Sequence, residues 1–243
     1  MLAAIPFVAL GMIGLGFWQL SRWQERRAQN ALITQRLEMP LIALTGEPLL
    51  KPADLDYHPA TVRGVYDFAQ EIIWKNRSRN GSPGVDVITP LWIAGSNVAV
   101  LVDRGWIPYT QMAPAARAAY PKPEGEVVVT GLLRQTARRT SSLLPADPAL
   151  SLERTRLDDW FWLDIEQIQQ QIPYPLLPLI VQQSPGPDPT QLPISSHDIE
   201  LSDGPHLSYA IQWFAFAAIA IFGPLIYWRQ SRREKQPAGS SRK

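Results

Sequence analysis

Residues 209–228 read YAIQWFAFAAIAIFGPLIYW, twenty positions in a row without an acid, a base or a histidine. At ~1.5 Å of rise per residue such a helix covers about 30 Å, the thickness of a bilayer core. Gly204-Pro205-His206-Leu207-Ser208 leads into this run, and Arg229-Gln230-Ser231-Arg232-Arg233 follows it. The reading is a membrane span with one imidazole at its first boundary and a basic cluster at its second. An imidazole in that place can ligate a metal, carry a proton or simply meet headgroups and solvent, and spacing alone leaves the three open.

Working outward, residues 2–20, LAAIPFVALGMIGLGFWQL, form a second uncharged apolar run with Trp18 near its end and Arg22 closing it. A signal peptide would want a basic start, a shorter apolar stretch and a small-x-small cleavage site. FWQLSR at residues 17–22 is a poor cleavage site, so the run is expected to be an uncleaved helix. Gly11, Gly14 and Gly16 lie within it and suit close packing of a second helix. Two crossings place both ends of the chain on one side. The expected division is a first transmembrane helix over 1–21, a β-rich domain over 22–203, a second transmembrane helix over 204–228 and a basic cytoplasmic tail over 229–243.

Charge gives the orientation. Arg229, Arg232, Arg233 and Lys235 favour a cytoplasmic tail, while Arg22, Arg26 and Arg27 after the first run pull the other way. Long loops cross largely regardless of charge, so the tail is given more weight and the middle domain is expected outside the cytoplasm. A net charge of +1, with the short basic runs lying beside the spans, gives no nucleic-acid footprint. With no cysteine, disulfides, thiolate zinc sites and iron–sulfur clusters are excluded.

Between the two runs strand signals dominate. Residues 60–66 alternate, residues 71–75 are a short apolar run, and Arg79-Asn80-Gly81-Ser82 is hairpin chemistry. Strands are expected over 85–93, 97–107, 126–133 and 176–182. Helices are expected over 18–37, 112–119 and 158–172, the last with Asp158 as N-cap. The proline-rich stretch 173–193 reads as an extended connector. The fold class that follows is an α+β membrane protein, with two transmembrane helices flanking an antiparallel sheet or small barrel.

Catalytic signatures are missing from the sequence. Its three histidines, His58, His197 and His206, show no i,i+3 or i,i+4 pair, and neither a G-x-S-x-G elbow nor a phosphate-binding glycine loop occurs. The chain is therefore expected not to be an enzyme. Arg104, beside Asp103 at a strand end, is either a structural ion-pair partner or a holder of a ligand carboxylate. Trp74, Trp92 and Trp106 read as core or interface residues.

Four ordered motifs carry a family resemblance. HLSYAIQWFAFA at 206–217, GFWQLSR at 16–22, PGVDVITPL at 83–91 and VLVDRGWIP at 100–108 resemble the Surfeit locus family of cytochrome oxidase biogenesis factors. One departure stands out: Asp103 occupies a place where the resemblance leads one to expect asparagine. The resemblance implies two spans around a domain on the periplasmic side of the bacterial inner membrane and a role in maturing haem–copper oxidases. It implies transient binding of haem A, with His206 as the iron ligand. The propionates would then face Arg22 or Arg104, and the apolar tail would lie along Trp213, Phe214 and Phe216 or the first span. The implied partners are the oxidase catalytic subunit, haem A synthase and the lipid membrane. The alternative reading is a haem-free scaffold that holds a nascent oxidase subunit.

Overall fold

The structure is a computed structural model that describes residues 5–49, 51–136, 138–195 and 199–234, with side chains through 230. Residues 2–4 of the first apolar run, His197, the side chains of 231–234 and tail residues 235–243 lie outside the described residues. Two compact units are found. One joins the residues up to Leu32 with those from Glu200 onward, and the other is Ile33–Ile199.

The second unit is built on an eight-stranded sheet. Its strands are β1 (Ile42–Leu44), β2 (Pro59–Tyr66), β3 (Ile72–Arg79), β4 (Ser82–Ile93), β5 (Ala99–Pro108), β6 (Glu126–Arg134), β7 (Asp159–Trp160) and β8 (Leu176–Gln183), in the order β1-β2-β6-β8-β5-β4-β3-β7. A further pairing of Gly64–Tyr66 in β2 with Leu91–Ile93 in β4 closes β2, β6, β8, β5 and β4 into a ring. Gly64 permits this closure, because a Cβ there would collide with the Trp92 carbonyl oxygen.

The sheet is mixed, which corrects the antiparallel expectation. β5 runs parallel to β8, β1 to β2 and β3 to β7. Burial explains the central parallel pair. Val100 and Val102 point into one core with Leu177, Leu179 and Val181, while Ala99 and Leu101 point into another with Ile180, Trp160, Leu163 and Ile168. A strand covered on both faces reads as one apolar run, as residues 99–102 do. Each buried Val, Leu or Ile side chain contributes roughly 1.5–3 kcal/mol, so these two cores are the main source of the unit's stability.

The hairpin between β3 and β4 forms where Asn80-Gly81 asks for it, with φ of 50° and 77°. The helix expected over 158–172 does not form as such. Asp159–Trp160 pairs with Ile73 and Trp74, and the side chain of Trp160 is fully buried. The backbone N–H groups of Phe161 and Trp162 donate to the Asp147 carboxylate at 2.6 and 2.8 Å, which holds the chain extended. The N-cap is Asp164, not Asp158, and only Ile165–Ile168 is helical (α3). Similarly, the helix expected over 112–119 is a single turn, Pro114–Arg117 (α2).

The other unit is helical. α1 (Ile5–Leu37) runs without a break from the apolar stretch into the charged one, and α4 is His206–Glu234. Over His206–Gln230, α4 is long and apolar enough to cross a membrane, and only 11% of its most apolar window is buried. A core helix of a soluble protein would be mostly covered; this one turns Ile211, Ile219, Phe222 and Leu225 outward. It is the one helix among the described residues that is apolar enough over such a length. Gly16 of α1 lies directly under the Phe214 ring of α4, and Phe17 meets the same ring edge-on at 5.3 Å. Close helix packing thus explains Gly16, whereas Gly11 and Gly14 have open space around them.

Candidate functional site

His206 is the first residue of α4, placed there by Gly204 at φ 69° and Pro205. Its Nδ1 lies 2.8 Å from Oε1 of Gln19 on α1. A carboxamide oxygen can only accept, so Nδ1 is the donor in this contact, and in the neutral ring the lone pair then lies on Nε2. Gly204 flanks the Cδ2–Nε2 edge of the ring. The imidazole, Trp18, Arg22, Glu25, Arg26 and Gln29 line an open cleft of about 330 Å³. Arg22 donates to Glu25 at 2.9 Å, with both side chains more than half exposed. Asn30, one turn beyond Arg26, donates to the Leu201 carbonyl and the Asp203 carboxylate, both at 3.0 Å, and so ties α1 to the segment entering α4.

The structure thus brings His206 and Arg22 to one cleft. Trp213 is half-buried two turns further along α4, where its ring meets Phe216 edge-on at 6.1 Å. It does not line the cleft. Among the described residues no three His, Cys, Asp or Glu side chains gather as a metal cluster. An iron held at this cleft would take its protein ligand from His206.

Arg104 belongs to the barrel unit and to a different cavity, of about 470 Å³, which Tyr66, Lys122 and Gln183 also line. The expected pairing with Asp103 is not found. Val87 pairs with Gly105 and Ile88 with Asp103, leaving Arg104 as the extra residue of a β-bulge. A bulge re-aims its side chain. Arg104 reaches Glu71 at 3.3 Å and the Pro121 carbonyl at 2.5 Å, and lies over the rings of Tyr66 and Phe68. Arg117 holds the other oxygen of Glu71 at 2.7 Å, and Thr89 donates to Glu71 at 3.1 Å. Both Glu71 and Arg104 are more than nine-tenths buried. Burial pushes the neighbouring Tyr66 hydroxyl up to about 12, against the pull of Arg104. It remains neutral and donates to Gln183 at 3.3 Å.

Asp103 faces the opposite way, into a small polar cavity with Asp86, Arg77 and Trp106. Burial raises its carboxyl well above the usual range, and the like charge of Asp86 adds to this; Arg77, the Gly105 N–H and Arg134 oppose it. Asp86 is raised by burial too, despite its 2.8 Å pair with Arg77. Burial thus favours the neutral form of Asp103 over the charged one, at a place where an uncharged asparagine was expected. The tryptophans sit as their apolar character demands. Trp74 donates to the Phe161 carbonyl at 3.3 Å, and Trp92 packs on Tyr174 with ring centres 4.0 Å apart.

Gln19 is the site residue that sequence reasoning missed. Nothing in the sequence ties it to a histidine 187 positions away.

A strand barrel joined in one chain to a membrane-length helix, with a singly anchored imidazole at that helix's first residue, defines a class of membrane-attached proteins. The particular family follows from comparison: the SURF1 family model matches residues 6–218, and this chain belongs to that family. It is 26% identical to a SURF1-like protein of Monosiga brevicollis over 90% of this chain and 83% of that protein. It is 27% identical to Surfeit locus protein 1 of Homo sapiens, over 89% and 73% respectively. A SURF1-like protein of Rickettsia felis is also 27% identical, over 90% and 92%.

Proposed function

We infer that this protein is a non-enzymatic assembly factor for a haem–copper cytochrome oxidase that holds haem A at the membrane boundary and passes it to the catalytic subunit. The observation that carries the reading is the His206 geometry: one imidazole, its Nδ1 engaged and its Nε2 free, at the edge of a cleft beside a membrane-length helix. A neutral imidazole is the usual protein ligand of haem iron. At this cleft His206 would hold the iron, and the haem would supply the redox group that is passed on. Arg22 and Arg26 on its rim suit propionates through charge-assisted hydrogen bonds. The outward apolar side chains of α4, among them Ile211 and Phe216, suit a long apolar tail lying in lipid, with Trp213 beside them. Arg104 is buried against Glu71 and lines a cavity of the barrel unit, which argues against it as a propionate partner, whereas Arg22, though paired with Glu25, is exposed on the cleft rim.

In this reading the apolar part of α1 is a second crossing, and the barrel stands on the periplasmic side of a bacterial inner membrane. The arginines at the far end of α4 would face the cytoplasm. Haem A synthase is the partner that supplies the cargo. The absorption spectrum of the full chain, purified from cells that make haem A, tests the reading. A Soret band present in the wild type and lost in His206→Ala supports it. A colourless wild type that still supports oxidase assembly refutes it in favour of a haem-free scaffold.

A further inference from the structure

We propose that Gln19 is the positioning residue of the His206 site: its amide oxygen selects Nε2 as the ligating nitrogen and, being uncharged, keeps the ligand weak enough for the cargo to leave. This inference rests on the carrier reading above. The geometry behind it lies within the helical unit. Gln19 sits one turn beyond Gly16, the residue that seats the Phe214 ring, so the same helix contact that fixes α1 against α4 also sets Gln19 opposite His206. The Oε1–Nδ1 separation of 2.8 Å is that of a well-formed hydrogen bond.

A neutral imidazole has one N–H, and the acceptor that binds it decides which nitrogen remains free. Metal-ligating histidines depend on this partner for ring orientation and basicity. A carboxylate acceptor draws the Nδ1 proton towards itself and makes Nε2 a stronger donor to iron; a carboxamide does so much less. The cleft does contain a carboxylate, Glu25, but Arg22 and Ser21 occupy it at 2.9 and 3.4 Å. The one group on Nδ1 is therefore the neutral amide, as suits a carrier that must release what it binds.

Two substitutions and two readouts test this in the full-length protein in detergent. In the cargo-free protein, nitrogen NMR of His206 is expected to show the proton on Nδ1 in the wild type and a mixture of tautomers in Gln19→Leu. With added haem A, Gln19→Glu is expected to raise the iron–histidine stretching frequency of the ferrous form and slow transfer to apomyoglobin about tenfold. Gln19→Leu is expected to lower that frequency and speed transfer by a similar factor. The near-isosteric Gln19→Glu keeps the test decisive if Gln19→Leu fails to fold. Should His206→Ala abolish binding while both Gln19 variants keep the wild-type frequency and transfer rate, this inference falls and the carrier reading stands. A wild type that takes up no haem A overturns both.

Discussion

The barrel unit and the helical unit handle charge and apolar surface in opposite ways. In the barrel, Glu71, Arg104 and Arg117 are buried together and satisfy one another, and the apolar side chains of β5 and β8 are covered on both faces. In the helical unit, Arg22 and Glu25 stand in the open while Ile211, Phe216, Ile219 and Phe222 face outward. The first pattern makes a rigid body in water. The second makes sense only if something apolar surrounds the helix, and it keeps the Arg22–Glu25 pair at the surface. Buried charge here serves the fold, whereas the exposed pair adds little to it.

That contrast can be broken or sharpened by substitution. The largest effect is expected for Arg104→Ala. It leaves Glu71 buried with one of its two arginines, and should destabilise the barrel by about 3–5 kcal/mol in urea unfolding followed by tryptophan fluorescence. A change under about 1 kcal/mol would show that the cluster is solvated rather than buried. Gly64→Ala should cost about 2–4 kcal/mol in the same measurement, because the closing pair of β2 and β4 must part to admit a Cβ. Wild-type stability there would mean that the ring is not closed in solution.

A smaller effect, with a defined sign, is expected at Asp103. Its carboxyl has a raised pKa in the folded state, so between the unfolded value near 3.8 and the higher folded value the native state binds more protons than the unfolded one. Stability from this group is complete at low pH and falls as pH rises through the folded pKa. Asp103→Asn removes that loss, so its advantage over wild type should grow from about pH 4 upward, by ~1.4 kcal/mol per pH step of one until the folded pKa is passed. An advantage that shrinks with rising pH would mean that the carboxylate is ionised and needed. The smallest effect on stability is expected at Arg22, where alanine should stay within about 0.5 kcal/mol of wild type, since its pair with Glu25 is exposed. If the cleft binds propionates, the same substitution should still weaken haem A binding in a titration.

Local pattern made most strands legible in the sequence, together with the Asn80-Gly81 hairpin and the continuation of the first apolar run as a helix to Leu37. Each is set by neighbours a few residues apart. What escaped was set by partners far along the chain. The apolar run of residues 99–102 signals a strand buried on both faces, but it names neither β8 as the partner nor the parallel direction of that pairing. The bulge that turns Arg104 from Asp103 to Glu71 depends on the register with β4. Residues 158–172 have apolar residues at a helical spacing, but Asp159–Trp160 is drawn into the sheet and Phe161 and Trp162 are held by Asp147. At the site, His206 and Arg22 stood out because each borders an apolar run. The role of Gln19 did not, because it exists only once α1 and α4 are side by side.

The most direct test of the account is complementation. In a strain lacking this gene, the wild-type chain and His206→Ala are each expressed to equal levels, and the haem a band of the membranes is measured alongside oxidase activity. The account predicts that the wild type restores both and that His206→Ala restores little of either while its barrel stays folded. Full recovery of oxidase and of the haem a band by His206→Ala would contradict it.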